Sequence, residues 1–185
     1  MWNNNSGTHW RHIPDRALRN EAENRALRFN RDMEDAELEH DGTITVNFGS
    51  TGADIMLRRV DDEVFGLFLH GYCGLLAWAI HQRTGLPLAV FTGRAPTESA
   101  WAGHAAVVVG EDKFLDINGI QSAANIHAAF PGKLRADYAL VTPEEFAALI
   151  VEPQHRVDPL SFLEPLERYI VEDFAEYLVS QNQVS

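Results

Sequence analysis

The longest apolar run of the chain, from Val64 to Ile80, constrains the fold more than any other part of the sequence. His70 and several glycines interrupt it, and it stays short of the roughly 18 apolar residues that a membrane span requires. Its second half is dominated by Leu, Ala and Trp, a composition typical of a helix buried on nearly every side. Gly85 follows in the position of a helix C-cap, with Pro87 shortly beyond it. We therefore expect a central core helix and no membrane-spanning segment.

The other segments show strand patterns and helix patterns in turn. Period-two alternation and bounding turn residues predict strands at 43–48, 54–60, 86–91, 104–109, 113–118 and 137–141. Helical spacing, and a capping box at Thr142, predict helices at 14–39, at 122–130, from 143 onward and at 159–179. Helices that flank a sheet of short strands are typical of an α+β fold. We expect one domain, with a mobile arm and a helix in 1–40, the core in 41–150 and an amphipathic helix in 151–185.

The balance of charges bears on the partners of the protein. The 185-residue chain carries 27 acidic and 15 basic residues, a formal net charge of −12. Such a surface repels the phosphate backbone, so nonspecific binding to DNA or RNA is not expected. The same sign favours solubility and, where the partner is a protein or peptide, a basic one. The oligomeric state does not follow from these numbers.

The cysteine and histidine content limits the chemistry that the chain can perform. It has one cysteine and eight histidines. A single cysteine excludes an intramolecular disulfide framework and a Cys-rich zinc site. The histidines show no HExxH or comparable spacing, so neither a metal nor another cofactor is predicted. The first residues carry no secretory signal, so we expect a reducing, cytoplasmic compartment.

The single cysteine, Cys73, lies directly after a turn that contains Gly71 and at the first position of the predicted buried helix. The N–H groups and the positive dipole of a helix N-terminus favour a thiolate over a thiol. The backbone N–H of such a nucleophile can also donate to a developing oxyanion. Gly71 leaves room for a substrate to approach. A free cysteine is, alternatively, often a small buried hydrophobe, so the catalytic interpretation depends on a base.

His104 is the candidate base, because it begins a very apolar strand after a polar loop. A three-residue loop with glycine joins its strand to the next one as a hairpin. If Val109 pairs with Lys113, then 106 faces 116 and 104 faces 118, which places His104, Asp116 and Asn118 on one face. A carboxylate in the otherwise apolar second strand requires a partner, since burying it alone is costly. Either Asp116 or Asn118 can orient the imidazole of His104.

The order of the candidate residues along the chain resembles the papain-like fold. In that order a cysteine at a helix start is followed by a histidine at a strand start, and then by Asp or Asn on the next strand. That superfamily includes papain-type proteases, NlpC/P60 hydrolases, transglutaminases and arylamine N-acetyltransferases, and the short spacings here are more similar to the last three. The resemblance implies a papain-like α+β fold, in which the Cys-bearing helix packs on an antiparallel sheet with helical additions at both ends. It implies Cys73 as nucleophile, His104 as base, and Asp116 or Asn118 as orienting residue.

The resemblance covers about residues 64–120 and departs from the family at the oxyanion donor. No Arg-Gly-Gly precedes Cys73, and Leu67 stands where papain has a glutamine. His70 and Tyr72 are therefore candidate oxyanion donors.

Substrate contacts are predicted on both sides of the nucleophile in the sequence. Trp101, three residues before His104, and Gly71 are the candidate substrate-binding residues, with 92–103 as a loop over the cleft. Trp101 is, alternatively, an ordinary partly buried loop aromatic.

Together, these residues predict a cysteine-nucleophile hydrolase, such as a thiol protease, or an acyltransferase that acts on an amide, ester or thioester bond of a protein or peptide. Such a reaction requires no cofactor. The alternative is an acidic binding or inhibitor protein, of viral or effector type, that keeps a papain-like scaffold without turnover. This alternative stays open because a fold does not establish a function.

Overall fold

The structure is a computed structural model that describes residues 7–32, 42–48, 51–93 and 103–184. Its helices are α1 (Arg16–Asp32), α2 (Asp62–His70), α3 (Cys73–Thr84), α4 (Ala123–Ala129), α5 (Pro143–Ile150) and α6 (Pro165–Gln181). Its strands are β1 (Ile44–Phe48), β2 (Thr51–Ile55), β3 (Leu88–Gly93), β4 (His104–Gly110), β5 (Lys113–Asp116), β6 (Gly119–Gln121) and β7 (Leu134–Val141). Short 3-10 helices cover Trp10–His12 and Pro153–His155. The α+β prediction is confirmed.

Two antiparallel sheets form in the described part of the chain. The larger one has the strand order β6-β5-β4-β3-β7, and β1 and β2 form a separate hairpin. Helix α3 packs against β4 and β5 of the larger sheet and also along α6. Every residue of α3 from Cys73 to Ile80 is buried. The apolar run thus supplies the central helix that its composition predicts.

Capping groups in the sequence set the helix boundaries. Gly85 adopts a left-handed conformation, with φ of 69°, and its N–H donates to the His81 carbonyl, so α3 ends where predicted. The side chains of Thr142 and Glu145 each accept from the other residue's N–H, which is the predicted capping box of α5. Helix α2 is not predicted by periodicity. It starts because Asp61, its N-cap, accepts from a backbone N–H of the first turn.

Several boundaries differ from the predicted ones. Strand β2 covers 51–55 instead of 54–60, since Leu57 bridges to Thr8 and Arg58 adopts a φ of 59°, which interrupts an extended strand. Strand β5 ends at Asp116 instead of 118, and β6 follows it immediately. Strand β7 begins at Leu134 instead of 137, and helix α6 begins at Pro165 instead of 159. Helix α1 lies within the predicted range 14–39, of which 33–39 falls outside the described residues.

The segment before α1 packs on the core, although its polar composition predicts a mobile arm. The Thr8 N–H donates to the Leu57 carbonyl at 2.7 Å. Trp10 and Ile13 are both buried. These two apolar side chains anchor residues 7–13 to the domain, and their burial offsets the polarity of the neighbouring residues.

No single helix among the described residues is long and apolar enough to cross a membrane. Helices α2 and α3, which are bent by 87° relative to each other, pass the same test of length and composition only as a pair. Both helices contribute buried side chains to the core.

Candidate active site

Cys73 is the first residue of α3 and lies at the junction of two helices. Helix α2 ends just before it, because the N–H groups of Gly71 and Tyr72 both donate to the Leu67 carbonyl. The chain then bends by 87° into α3. Tyr72, the N-cap of α3, makes no side-chain hydrogen bond to the helix. Cys73 therefore occupies the positive end of the helix dipole, without a side-chain cap there.

The turn before Cys73 is anchored to the β1–β2 hairpin. The Tyr72 hydroxyl donates to the carbonyl of Phe48, and the two rings lie 5.2 Å apart between centroids. Tyr72 lines a cavity beside the Cys73 cleft but is not among the residues that line the cleft itself. The predicted oxyanion donor Tyr72 is thus an anchor of the turn in this structure, with its hydroxyl hydrogen already donated.

A close approach between two strands positions His104. Gly103 lies so near β3 that an added Cβ would stand 1.8 Å from the Phe91 carbonyl oxygen, so a glycine is required at this point. The next residue, His104, pairs with Phe91 and is fully buried. Its ring lies 6.4 Å from the Phe91 ring and 5.1 Å from the Phe130 ring, between centroids. The imidazole is therefore held by aromatic neighbours on a fixed strand end.

Asp116, the last residue of β5, is bonded to His104. Its Oδ2 lies 2.9 Å from the Nε2 of His104, and both side chains are buried. The pairing of Val108 with Phe114 confirms the predicted register of this hairpin, which brings the faces of the two residues together. Only the loop end differs, because a bulge pairs Lys113 with residue 110 instead of 109.

Asn118 lies beside this pair but does not stand across from His104, because the chain turns after Asp116. Gly119 adopts a φ of 80°, and β6 returns antiparallel to β5. The backbone N–H of Asn118 donates to Asp116 Oδ1 at 2.7 Å. Of the two alternatives for the orienting residue, the geometry thus brings Asp116, and not the Asn118 side chain, to the imidazole.

Gln121 is the polar neighbour that the sequence patterns did not indicate. Its Nε2 donates to Asp116 Oδ1 at 3.1 Å. The signal that could have found it is the dipeptide Asn118-Gly119, since Asn-Gly is a strong hairpin signal. A turn at this dipeptide folds residue 121 back onto β5, whereas an uninterrupted strand would carry it away.

The surroundings of His104 favour its protonated form. Burial lowers the pKa of His104. The hydrogen bond to Asp116 and the nearby sulfur of Cys73 have the opposite effect, and together they raise the pKa to about 9. Nδ1 is buried and has no well-aligned hydrogen bond within the described ranges, so the sulfur of Cys73 acts on the ring by proximity. With Nε2 held by Asp116, Nδ1 is the nitrogen that can exchange a proton with the thiol. An imidazolium at this position stabilises a thiolate.

An open cleft of about 560 Å³ reaches Cys73. It lies between the α2–α3 junction, the start of β4 and the segment before β7, and its walls are Leu69, His70, Gly71, Cys73, Gly103, Phe130, Lys133 and Leu134. Only 5% of Cys73 is exposed. The predicted residues His70 and Gly71 thus lie in the same cleft as Cys73. The predicted cleft residue Trp101 lies outside the described residues.

A larger cavity, of about 660 Å³, adjoins this cleft and shares His70 and Gly71 with it. Its lining includes the carboxylates of Asp54, Asp62 and Glu63. Cys73 is not part of its lining, so we assign the chemistry to the smaller cleft.

The described residues contain no group of three His, Cys, Asp or Glu side chains that could hold a metal ion. Comparisons of the chain with protein-family models, curated proteins and solved structures find no match. The site is therefore characterised by its own geometry, in which a cysteine at a helix start lies near a buried His–Asp pair on an antiparallel hairpin.

Proposed function

We propose that the protein is a papain-like cysteine enzyme, a hydrolase or acyltransferase that acts on an amide, ester or thioester bond of a protein or peptide. The observation that carries this proposal is the buried His104–Asp116 pair, with 2.9 Å between Nε2 and Oδ2, beside the single cysteine at the start of a buried helix. A base held on one nitrogen by a carboxylate, with a nucleophile near its other nitrogen, is what covalent catalysis requires.

In the proposed reaction, the Cys73 thiol gives its proton to Nδ1 of His104 and the thiolate attacks the carbonyl carbon of the substrate. The positive end of α3 stabilises the negative charge that develops on the carbonyl oxygen. The bond to the leaving group then breaks, and the leaving group takes the proton from His104, which leaves an acyl group on the sulfur. Water or an amine then attacks the carbonyl carbon of this thioester and passes its proton to Nδ1 of His104. The C–S bond breaks, the product leaves, and Cys73 is released as a thiolate beside the protonated His104. Asp116 keeps the imidazole oriented throughout.

The favoured substrate is a basic protein or peptide. The net charge of −12 attracts such a partner over long distances and repels nucleic acid. The carboxylates of Asp54, Asp62 and Glu63, in the cavity next to the cleft, have the same sign.

The test uses the reaction of Cys73 with iodoacetamide from pH 5 to 9, which reports on one site because the chain has a single cysteine. At pH 6 we expect alkylation to be about 100-fold slower in His104→Ala, because an unassisted thiol is almost entirely protonated there. Circular dichroism verifies that the variant is folded.

Two matched controls accompany this measurement. His155→Ala removes a histidine that lines neither cavity and should leave the profile unchanged. Cys73→Ala should abolish labelling. A Cys73 that reacts only after unfolding, or identical profiles for the native chain and His104→Ala, would contradict the proposed function.

A binding role without turnover is the second proposal, and the low exposure of the site favours it. His104 exposes no surface and Cys73 only 5%. In this case the His104–Asp116 pair has a structural role, and Cys73 is a buried hydrophobe. The labelling experiment separates the two proposals, because only the enzyme requires a Cys73 that reacts in the folded protein and depends on His104.

A further inference from the structure

We propose that Gln121 is a positioning residue for the His104–Asp116 pair. Its side chain holds one oxygen of the Asp116 carboxylate so that the other oxygen faces His104. This inference rests on the proposed function. It adds a fourth side chain that does not contact the substrate and acts only through Asp116.

The first support is the way in which the carboxylate is satisfied. Oδ2 of Asp116 is bonded to His104 Nε2 at 2.9 Å. Oδ1 accepts from the backbone N–H of Asn118 at 2.7 Å and from Gln121 Nε2 at 3.1 Å. Two donors on one oxygen restrict rotation of the carboxylate plane, so the direction of the other oxygen is fixed as well. One of those two donors belongs to the backbone of the turn, and the other is Gln121.

The second support is the register of the β5–β6 hairpin. Gln121 pairs with Phe114, so it is the diagonal neighbour of Asp116 on the same face of the sheet. The turn that produces this register contains Asn118 and Gly119, and Gly119 has a φ of 80°, which favours glycine. A slip of one residue would move the Gln121 side chain to the opposite face. The hairpin thus delivers the amide to Asp116 specifically.

The third support is the chemical type of the residue. An uncharged amide donates a hydrogen bond without titrating, so it orients the carboxylate at every pH of interest. A basic residue in the same place would compete with His104 for the charge of Asp116. Gln121 is half-buried, so its hydrogen bond is partly shielded from water.

The test compares the pH profile of Cys73 alkylation by iodoacetamide in the full-length chain and in Gln121→Leu. A misoriented Asp116 stabilises the imidazolium less well, so the midpoint of the profile should move to higher pH. The rate at pH 6 should fall by about 10-fold, which corresponds to the loss of one hydrogen bond to a charged group. The rate at pH 9 should change little, because the thiolate then forms without help. A purely structural role would lower the free energy of unfolding without moving the midpoint.

Gln121→Glu is the second variant, and it keeps the shape of the side chain. The introduced carboxylate repels Asp116 when ionised and can donate its proton when protonated. We expect the alkylation rate of Cys73 in this variant, relative to the native chain, to decrease as the pH rises from 5 to 7 and the introduced carboxyl ionises. This variant keeps the inference testable if Gln121→Leu fails to fold.

Gln154→Leu is the matched control, since Gln154 donates to Glu152 in the same manner but on the exposed surface. It should leave the profile unchanged. Profiles of both Gln121 variants that superimpose on the native one, while His104→Ala remains slow, would overturn the inference and leave the proposed function intact. If His104→Ala also matches the native profile, the proposed function fails instead.

Discussion

In the core next to Cys73 a buried carboxylate, Asp116, faces a histidine, whereas on helix α6 the buried carboxylates of Glu167 and Asp173 face arginines. Arginine does not lose its proton in proteins, so the α6 pairs keep fixed charges. Histidine gains and loses its proton in the physiological range and can therefore transfer it. The same burial of an acid thus fixes a charge in one region and, in the proposed function, supports proton transfer in the other.

The two regions also differ in how completely the carboxylates are bonded. Both oxygens of Asp116 accept hydrogen bonds, from three donors in all. On α6, one oxygen of Glu167 and one of Asp173 have no partner among the described residues. A charge that only needs compensation tolerates this incompleteness, whereas a charge that must orient an imidazole does not. The direction of the carboxylate, rather than its burial, distinguishes the candidate site.

The largest effect should come from Arg25→Met, which leaves Glu167 buried without its cation. Glu167 is only 2% exposed, and Arg25 is its ion-pair partner. We expect the free energy of unfolding to fall by about 3 kcal/mol in denaturant titrations, because an uncompensated buried charge is costly. The alkylation profile of Cys73 should be unchanged.

The double variant Arg25→Met/Glu167→Leu is the control for this prediction, since removing both charges avoids the unpaired carboxylate. It should recover most of the lost stability. If Arg25→Met instead shifts the reactivity of Cys73 at pH 6, the two regions are coupled and the comparison between them fails.

A smaller effect is expected from Gly103→Ala, which acts on the position of His104 itself. The added Cβ would stand 1.8 Å from the Phe91 carbonyl oxygen, so the strand start must shift. We expect a loss of about 2 kcal/mol in the free energy of unfolding, and slower alkylation of Cys73 at pH 6.

Gly66→Ala is the matched control, because a Cβ there would meet nothing within 4 Å. In a helix interior this change should stabilise the protein by up to about 1 kcal/mol. A Gly103→Ala variant with native stability and native reactivity would show that the close approach to Phe91 does not position His104.

The third effect concerns the pH dependence of stability. The pKa of His104 is raised from 6.5 to about 9 in the folded protein. Between these two pH values, the folded state therefore binds more protons than the unfolded state. The contribution of His104 to stability is therefore fully present below about pH 6.5 and is lost as the pH rises through 9.

Denaturant titrations of the native chain and His104→Gln, at pH 6 and pH 10, measure this contribution. The difference in unfolding free energy between the two proteins should be larger at pH 6 than at pH 10. The arginines that pair with the α6 carboxylates do not titrate in this range, so Arg25→Met should show no such pH dependence. A difference that grows toward pH 10 would contradict the raised pKa.

Much of the site is predictable from short-range patterns. The apolar composition around Cys73, the C-cap at Gly85 and the apolar strand after His104 are local signals, and each corresponds to an observed element. The register that brings Asp116 toward His104 follows from the short loop and the period of two. Whether these residues catalyse a reaction, and in which compartment, stays a prediction.

The missed features have specific physical causes. Helix α2 is short and continues an apolar run into α3, so periodicity alone does not separate the two. The sequence predicts that β5 reaches Asn118, because alternation persists through the residues that form the turn. The Asn118-Gly119 signal outweighs that alternation, since a φ of 80° at Gly119 reverses the chain.

Local signals, within a few residues of each position, encode the buried helix that begins at Cys73, the strand that begins at His104 and the register of the hairpin that carries Asp116. Two features depend on the tertiary structure alone. They are the choice of Asp116 over Asn118 as the partner of His104, and the pairing of Arg25 with Glu167, which lie 142 positions apart. The reason is that the burial and direction of a polar side chain depend on groups that only the folded chain brings near it. Asp116, the acid that the sequence predicts near Cys73, therefore becomes a defined partner of His104 only when the turn, the sheet and the core are in place.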